Sequence, residues 1–189
     1  MTIGDRFAEV LSAARDGADW AWTELYRDLS GELLRFLQAA GAADAEDCLG
    51  ETFVCLVRSL PDFTGDEAGL RALAFTVARS RLVDSWRRAQ RRPRIAGGVE
   101  IDDVSAPGAD QAALERAAVA DILDELGSDQ RAVIVLRVLH GFSVRQTADI
   151  LERSEGAVKQ LQHRAVAALR ASVVQPALPP ETRGEVSVG

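Results

Sequence analysis

Ser143-Val144-Arg145-Gln146-Thr147-Ala148-Asp149-Ile150-Leu151-Glu152-Arg153-Ser154-Glu155-Gly156-Ala157-Val158-Lys159-Gln160-Leu161-Gln162-His163-Arg164 is the stretch whose reading decides the fold of this chain. Ser143 precedes Gln146 by three residues, the spacing of a capping box, in which the serine oxygen accepts from the first turn and the glutamine reaches back. A short helix to Leu151, a turn at Glu152-Arg153 and a second helix capped by Ser154 follow from that start. Val158, Leu161, Ala165, Ala168 and Leu169 recur at helical spacing and form its inward side. Two helices around so short a turn have the dimensions of a helix-turn-helix, which sets its second helix in the DNA major groove. Glu155, Lys159, Gln160, His163 and Arg164 then point outward near the start of that helix, and Lys, Gln and Arg supply the donors that groove recognition needs. The alternative is an ordinary helical hairpin with a solvated polar face, on which His163 is merely a surface residue.

Working towards the N-terminus, a helix from Ser128 or Asp129 to His140-Gly141 is predicted, preceded by one marked by Leu114, Ala118, Ile122, Leu123 and Leu126 and closed by Gly127. Between Pro93 and Gln111 the periodicity vanishes. Gly97-Gly98, Asp102-Asp103 and Pro107-Gly108 read as a flexible, acidic linker. Before it lie three longer helical patterns. Trp22, Leu25, Tyr26, Leu29, Leu33, Phe36, Leu37 and Ala40 describe the first, with a bend expected at Gly31 and an end at Gly41. Asp44 caps a second that runs to Leu60, where Pro61 stops it. The third spans about Leu70 to Gln90, with Leu73, Ala74, Val77, Ala78, Leu82 and Trp86 as its apolar body. Strand alternation and internal repeats are lacking. The expected fold is all-α: two small helical domains, residues 1–93 and 113–173, joined by a flexible linker at 94–112, with the helix-turn-helix in the second and a disordered tail at 174–189.

The formal charge of −7 hides a segregation. Seven arginines between Arg79 and Arg94 face the single acid Asp84, so this stretch is +6 and the remainder is −13. Ser80, Asp84, Arg87 and Arg91 fall on one face of the third helix, flanked by Arg88 and Arg92. A basic helix end often only complements its own dipole. Here the charges continue past the terminus, which favours phosphate contact, while Asp84 is placed to pair with Arg88 four residues on. On the second helix, Asp44, Asp47 and Glu51 cluster; the dipole accounts for the first two, and Glu51 points to a basic protein partner.

Cys48 and Cys55 are the only cysteines; seven residues apart on one helix they lie about 10 Å from each other and cannot bridge, so both are read as buried structural thiols. His140 and His163 lack ligand spacing, and no metal or other cofactor is expected. A glycine-rich phosphate loop, a zincin helix and a nucleophile elbow are all missing from the sequence, so neither an enzyme nor a small-molecule substrate is expected. No apolar run approaches the ~20 residues of a membrane helix, and the first residues lack a secretory pattern. A soluble, cytoplasmic protein without membrane insertion is the expectation.

Together, Asp44-Ala45-Glu46-Asp47-Cys48-Leu49-Gly50-Glu51-Thr52-Phe53, the helix Leu70 to Arg92 with Ala78-Arg79-Ser80-Arg81-Leu82-Val83-Asp84, and Gly156-Ala157-Val158-Lys159-Gln160-Leu161-Gln162-His163-Arg164-Ala165 resemble the extracytoplasmic-function sigma factors. The resemblance runs in order from about Trp20 to Ala171 and places a linker where the family has one. It implies that Asp47 and Glu51 contact RNA polymerase core, through the basic coiled coil of its clamp. It implies that Thr64-Gly65-Asp66 and Ser80 border a pocket for a flipped minus-ten base, with Asp84, Arg87, Arg88 and Arg91 on the same promoter DNA face. Glu155, Lys159, Gln160, His163 and Arg164 would read the minus-thirty-five element, and an anti-sigma factor would control the protein. Ser80 stands where many members have asparagine, Leu73 where tryptophan is frequent, Ala157 where threonine is usual, and Leu161 where a basic residue often sits. The class is implied; the promoter sequence is not. Two other readings use fewer of these features: a stand-alone helix-turn-helix regulator needs no acidic second helix, and a helical adaptor that binds only protein makes the arginine face incidental.

Overall fold

The structure, a computed structural model, describes residues 3–91 and 122–174. Among these residues every regular element is helical and none is a strand. The N-terminal unit comprises α1 (Phe7–Arg15), α2 (Asp19–Ala39), α3 (Ala45–Ser59) and α4 (Glu67–Arg91). The C-terminal unit comprises α5 (Ser128–Ile134), which continues as one π-helical turn (Val135–Leu139), α6 (Val144–Leu151) and α7 (Glu155–Val174), after helical residues at 122–124. The linker expected at 94–112, and the tail from 175 onward, lie outside the described residues.

Local chemistry sets most of the boundaries. The Asp44 side chain accepts from the Asp47 amide at 2.8 Å and starts α3. Asp66 does the same for α4, accepting from the Gly69 amide at 2.8 Å. Gly41, at φ +85°, carries the chain out of α2 through a backbone conformation that L side chains rarely adopt. The capping box is formed as read: the Gln146 amide donates to Ser143 Oγ at 3.1 Å and the Ser143 amide to Gln146 Oε1 at 2.9 Å. Glu152 makes the turn out of α6 in the left-handed region, φ 52°, and Ser154 Oγ accepts from the Ala157 amide to open α7.

Several expectations change. Helix α1 was not read, although Phe7, Val10, Leu11 and Ala14 keep helical spacing; its Val10, Leu11 and Ala14 are buried with Ala21, Leu25, Leu60 and Leu70. The turn of π-helix at 135–139 was not foreseen either. Of the two cysteines, Cys48 is buried but Cys55 is only partly so, which corrects the reading of both as interior thiols.

The larger difference is that the two units share a core. Leu33, Phe36, Leu37, Ala74 and Phe75 of the first belong to one buried cluster with Leu126, Val135, Leu136 and Phe142 of the second. The Phe75 ring meets Phe142 edge-on, centroids 4.8 Å apart at 71°, and His140 at 4.8 Å and 63°. Arg71 lies over Phe142 at 4.4 Å and donates to the His140 carbonyl at 3.0 Å. Helix α4 is buried along one broad stripe of Leu70, Ala74, Phe75, Ala78 and Leu82, and the C-terminal unit meets it at Phe75. The sequence expectation that only the linker relates the two units is corrected by this direct packing.

Candidate nucleic-acid interface

Helix α7 offers the clearest binding surface. Glu155, Lys159, Gln160, His163 and Arg164 are all exposed on one side, while Val158 and Ala165 are fully buried on the other. Between these sides Gln162 accepts from Arg137 Nε at 3.2 Å, which ties the helix to α5 and its π turn. Thus α6 packs against the second helix, and the Ser154 cap satisfies the Ala157 amide at the start of α7, whose first turns carry this exposed side.

The arginine-rich face of α4 is less open than its sequence suggests. Arg79 is turned inward, its side chain 13% exposed, and pairs with Asp129 of α5 at 2.9 Å while lying 5.2 Å from the Trp86 ring. Burial pulls its guanidinium below the usual arginine range and the Asp129 carboxylate opposes that shift. Arg81 holds Asp84 at 3.0 Å, and Arg87 approaches the other Asp84 oxygen at 3.8 Å, so the anticipated Asp84–Arg88 pair gives way to these two. Arg88 instead forms a bidentate pair with Glu51 at 2.8 and 3.1 Å. Hydrogen bonding from Arg88 lowers the Glu51 carboxyl below its ordinary range. Of the clustered acids, Asp47 is thus exposed and Glu51 partly buried against α4. Arg91 ends α4; its side chain, with Arg92 and Arg94, lies outside the described residues.

Ser80, Asp84 and Arg87 line a cleft of about 300 Å³ whose opposite wall is Ile150 to Arg153, the end of α6 and the turn into α7. Thr64, Gly65 and Asp66 are exposed at the other end of α4, where Asp66 serves as its cap. Fourteen residues of helix separate Asp66 from Ser80, about 20 Å of rise, and the two do not share this cleft. The side chains that sequence reasoning missed are Asp129, Arg153 and Phe75. Their roles depend on contacts across 24 to 67 positions, and no local pattern announces them.

The family profile described as Sigma-70 region 2 matches residues 21–92, and that described as Sigma-70, region 4 matches residues 116–169. The ECF RNA polymerase sigma factor SigL of Mycobacterium tuberculosis is 38% identical over 152 residues, which cover 77% of this chain and 85% of SigL. This chain belongs to the ECF sigma factors. It is thus a transcription initiation factor of the sigma class. The ECF sigma factor SigX of Bacillus subtilis is 32% identical over 77% of this chain and 80% of its own length. BldN of Streptomyces coelicolor is 32% identical over 170 residues, and the aligned part spans 64% of BldN. Among solved structures, CnrH in complex with the cytosolic domain of CnrY matches at a TM-score of 0.68 with 27% identity, covering 92% of this chain and all of that one. RpoE in complex with the anti-sigma factor NepR from Bartonella quintana shares the fold, at a TM-score of 0.61 and 20% identity, over 82% of this chain and 98% of that one. Sigma region 2 accordingly takes in α2 to α4 with the arginine face and the acids of α3. Sigma region 4 takes in α5, α6 and most of α7. Among the described residues, no group of His, Cys, Asp and Glu could hold a metal ion and no helix is long and apolar enough to cross a membrane.

Proposed function

We propose that this sigma factor binds RNA polymerase core through the acidic side of α3, Asp47 and Glu51, and directs initiation by touching two promoter elements. The surface that carries the proposal is the exposed polar side of α7 behind its Ser154 cap. Glu155, Lys159, Gln160, His163 and Arg164 read the minus-thirty-five element in duplex form. Ser80, Asp84, Arg87, Arg88 and Arg91 on α4, with Thr64-Gly65-Asp66 at its start, hold the minus-ten element, arginines on the backbone and the smaller groups around an unstacked base. The functional domains run 1–93 and 113–173, with 94–112 as linker and 174–189 as tail. The role is binding rather than catalysis, exercised in the cytoplasm. CnrH, the 27%-identical neighbour, was solved with the cytosolic domain of another protein, CnrY. We extend that relation to this chain as control by an anti-sigma factor.

The test is co-purification with core polymerase, then run-off transcription on a promoter library with titration of a selected promoter at fixed salt. Binding by the holoenzyme that exceeds binding by either component supports the reading. Tight, sequence-specific binding by the free chain that core does not improve would assign it to stand-alone regulators.

A further inference from the structure

We propose that α1 is the brace of the Thr64–Gly65–Asp66 loop, with Arg15 as its positioning residue, so that a helix outside the matched region 2 segment sets how strictly this sigma factor reads its minus-ten base. The region 2 profile begins at residue 21, whereas α1 ends at Arg15. Both ends of the α1 segment are nevertheless fastened to the two sides of that loop. At its far end the Arg15 guanidinium donates through Nε to the Leu60 carbonyl at 3.3 Å and through Nη2 to the Phe63 carbonyl. Ahead of α1, the Ile3 and Gly4 amides donate to the two Glu67 carboxylate oxygens at 2.6 and 3.1 Å. Between these ties Val10, Leu11 and Ala14 are buried in one cluster with Leu60 and Leu70, and Phe63 packs on it. The segment therefore grips the chain at Leu60 and Phe63 before the loop and at Glu67 after it, while Thr64, Gly65 and Asp66 stay exposed.

These ties fix the course of the backbone. Leu60–Asp62 is a 3₁₀ turn that prolongs the end of α3, where carbonyls lack helical donors, and an arginine there both satisfies them and suits the dipole. The Phe63 carbonyl and the Thr64 N–H belong to one planar trans peptide and point in opposite directions. Holding the carbonyl on Arg15 thus aims the Thr64 N–H away from α1. Phe63 also forms the floor of the loop. A Cβ on Gly65 would lie 2.8 Å from its ring and one on Gly69 3.5 Å, so the chain folds closely over that ring before Asp66 caps α4. A loop held in this way meets an unstacked base in one shape. Loosening it lets the loop adapt to other bases and adds an ordering cost to binding of the right one. The inference rests on this loop being a minus-ten contact, but the bracing itself does not.

The experiment uses the full chain and two readouts. Nitrogen-15 relaxation of the free chain gives order parameters at the Thr64 and Gly65 amides. Fluorescence anisotropy with reconstituted holoenzyme gives affinities for the single-stranded minus-ten segment of a library-selected promoter and for its single-base variants. Discrimination is a ratio of affinities of one holoenzyme, so a loss of folded protein or of core binding cancels from it. Arg15→Gln removes the charge and the reach, Arg15→Lys keeps the charge without the fork, and Arg6→Gln takes an arginine from the same segment, where its partners are Glu9 and Glu24. Arg15→Gln should lower the order parameters from the rigid range near 0.85 to below about 0.6. It should also reduce discrimination at the most selective position about threefold to tenfold, the range that loss of a modest hydrogen-bonded constraint gives. Arg15→Lys should restore part of both, and Arg6→Gln should match the parent. Glu67→Gln, which weakens the other tie, should move both readouts as Arg15→Gln does but by less, and it serves if Arg15→Gln loses helicity. Unchanged order parameters in Arg15→Gln and Glu67→Gln overturn the brace whatever the discrimination. A loosened loop with undiminished discrimination overturns its part in specificity. A parent holoenzyme that prefers no base in the segment, with the loop still loosened by Arg15→Gln, leaves the brace standing and removes the minus-ten reading instead.

Discussion

A double-substitution cycle across the seam measures whether the two units hold each other in solution. Phe75 lies on α4 and Phe142 just before α6, both essentially inaccessible, with ring centroids 4.8 Å apart at 71°. Edge-to-face pairs in this range contribute about 0.5–1.5 kcal/mol beyond the area they bury. Arg71 lies over both rings, 5.3 Å from Phe75 and 4.4 Å from Phe142, and a partly exposed cation adds about 0.5–1 kcal/mol. A coupling free energy of about 1–2 kcal/mol is therefore expected between Phe75→Leu and Phe142→Leu, both of which retain a large apolar side chain. Denaturant unfolding of the full chain followed by circular dichroism gives the four stabilities. Phe36 and Phe75, at 5.3 Å within the N-terminal unit, form the internal control and should couple whether or not the seam is closed. A second check comes from the three tryptophans, Trp20, Trp22 and Trp86, which all lie in the N-terminal unit, whereas circular dichroism reports on both. Coupled units give coincident transitions by the two probes. Coupling below ~0.3 kcal/mol for Phe75 and Phe142, with the Phe36–Phe75 coupling intact, would refute direct packing, since independent sites add within about that margin.

Asp47→Lys and Glu51→Lys should weaken binding to core polymerase, with Glu51→Lys also freeing Arg88 from its bidentate partner; unchanged affinity of both for purified core removes α3 as the docking helix. Alanine at Lys159, Gln160, His163 or Arg164 should reduce use of the upstream promoter element, with about 1–3 kcal/mol of discrimination lost at base-contacting positions and melting temperatures hardly moved. An identical footprint for all four variants counts against α7. Burial pushes the His140 imidazole down from 6.5 to about 4, reinforced by Arg71 and Arg35 and opposed by Glu32. The unfolded chain then takes up a proton that the folded one refuses, so the stability contribution is intact above about pH 7 and is lost as pH falls from 6.5 towards 4. The full shift corresponds to about 3 kcal/mol, and partial exposure of the ring reduces it to roughly 1–2 kcal/mol. His140→Gln should flatten this segment of the stability profile; parallel profiles would contradict the burial. Gly41→Ala should cost about 1–2 kcal/mol and lower the melting temperature by a few degrees, because φ is +85° there and a Cβ would also press on the Arg131 guanidinium.

Elements whose signals are local were legible in the sequence. The Ser143–Gln146 box, the Ser154 and Asp44 caps and the stop at Gly41 act over three or four residues, and the structure forms each of them. The outward set on α7 was legible for the same reason: helical periodicity alone separates Val158 and Ala165 from Lys159, Gln160, His163 and Arg164. Helix α1 was equally available through Phe7, Val10, Leu11 and Ala14, but its short apolar stripe went unread. Tertiary structure alone decided the rest. Charge counting set Arg79 among seven arginines and left Glu51 to a basic partner from outside, because a sequence shows the sign of a side chain but not its distant partner. Asp129, fifty positions away, turns Arg79 inward, and Arg88, thirty-seven away, neutralises Glu51. Phe75 keeps helical spacing with Ala78 and Leu82 and packs on Phe36 of its own unit, but its meeting with Phe142 of the other unit is not legible from periodicity. Caps and periodicity depend on atoms a turn or two apart, which chain connectivity brings together unaided. The pairing of two surfaces depends on which burial and counter-charge outweigh the lost freedom of the units, and that balance is settled only when both are folded.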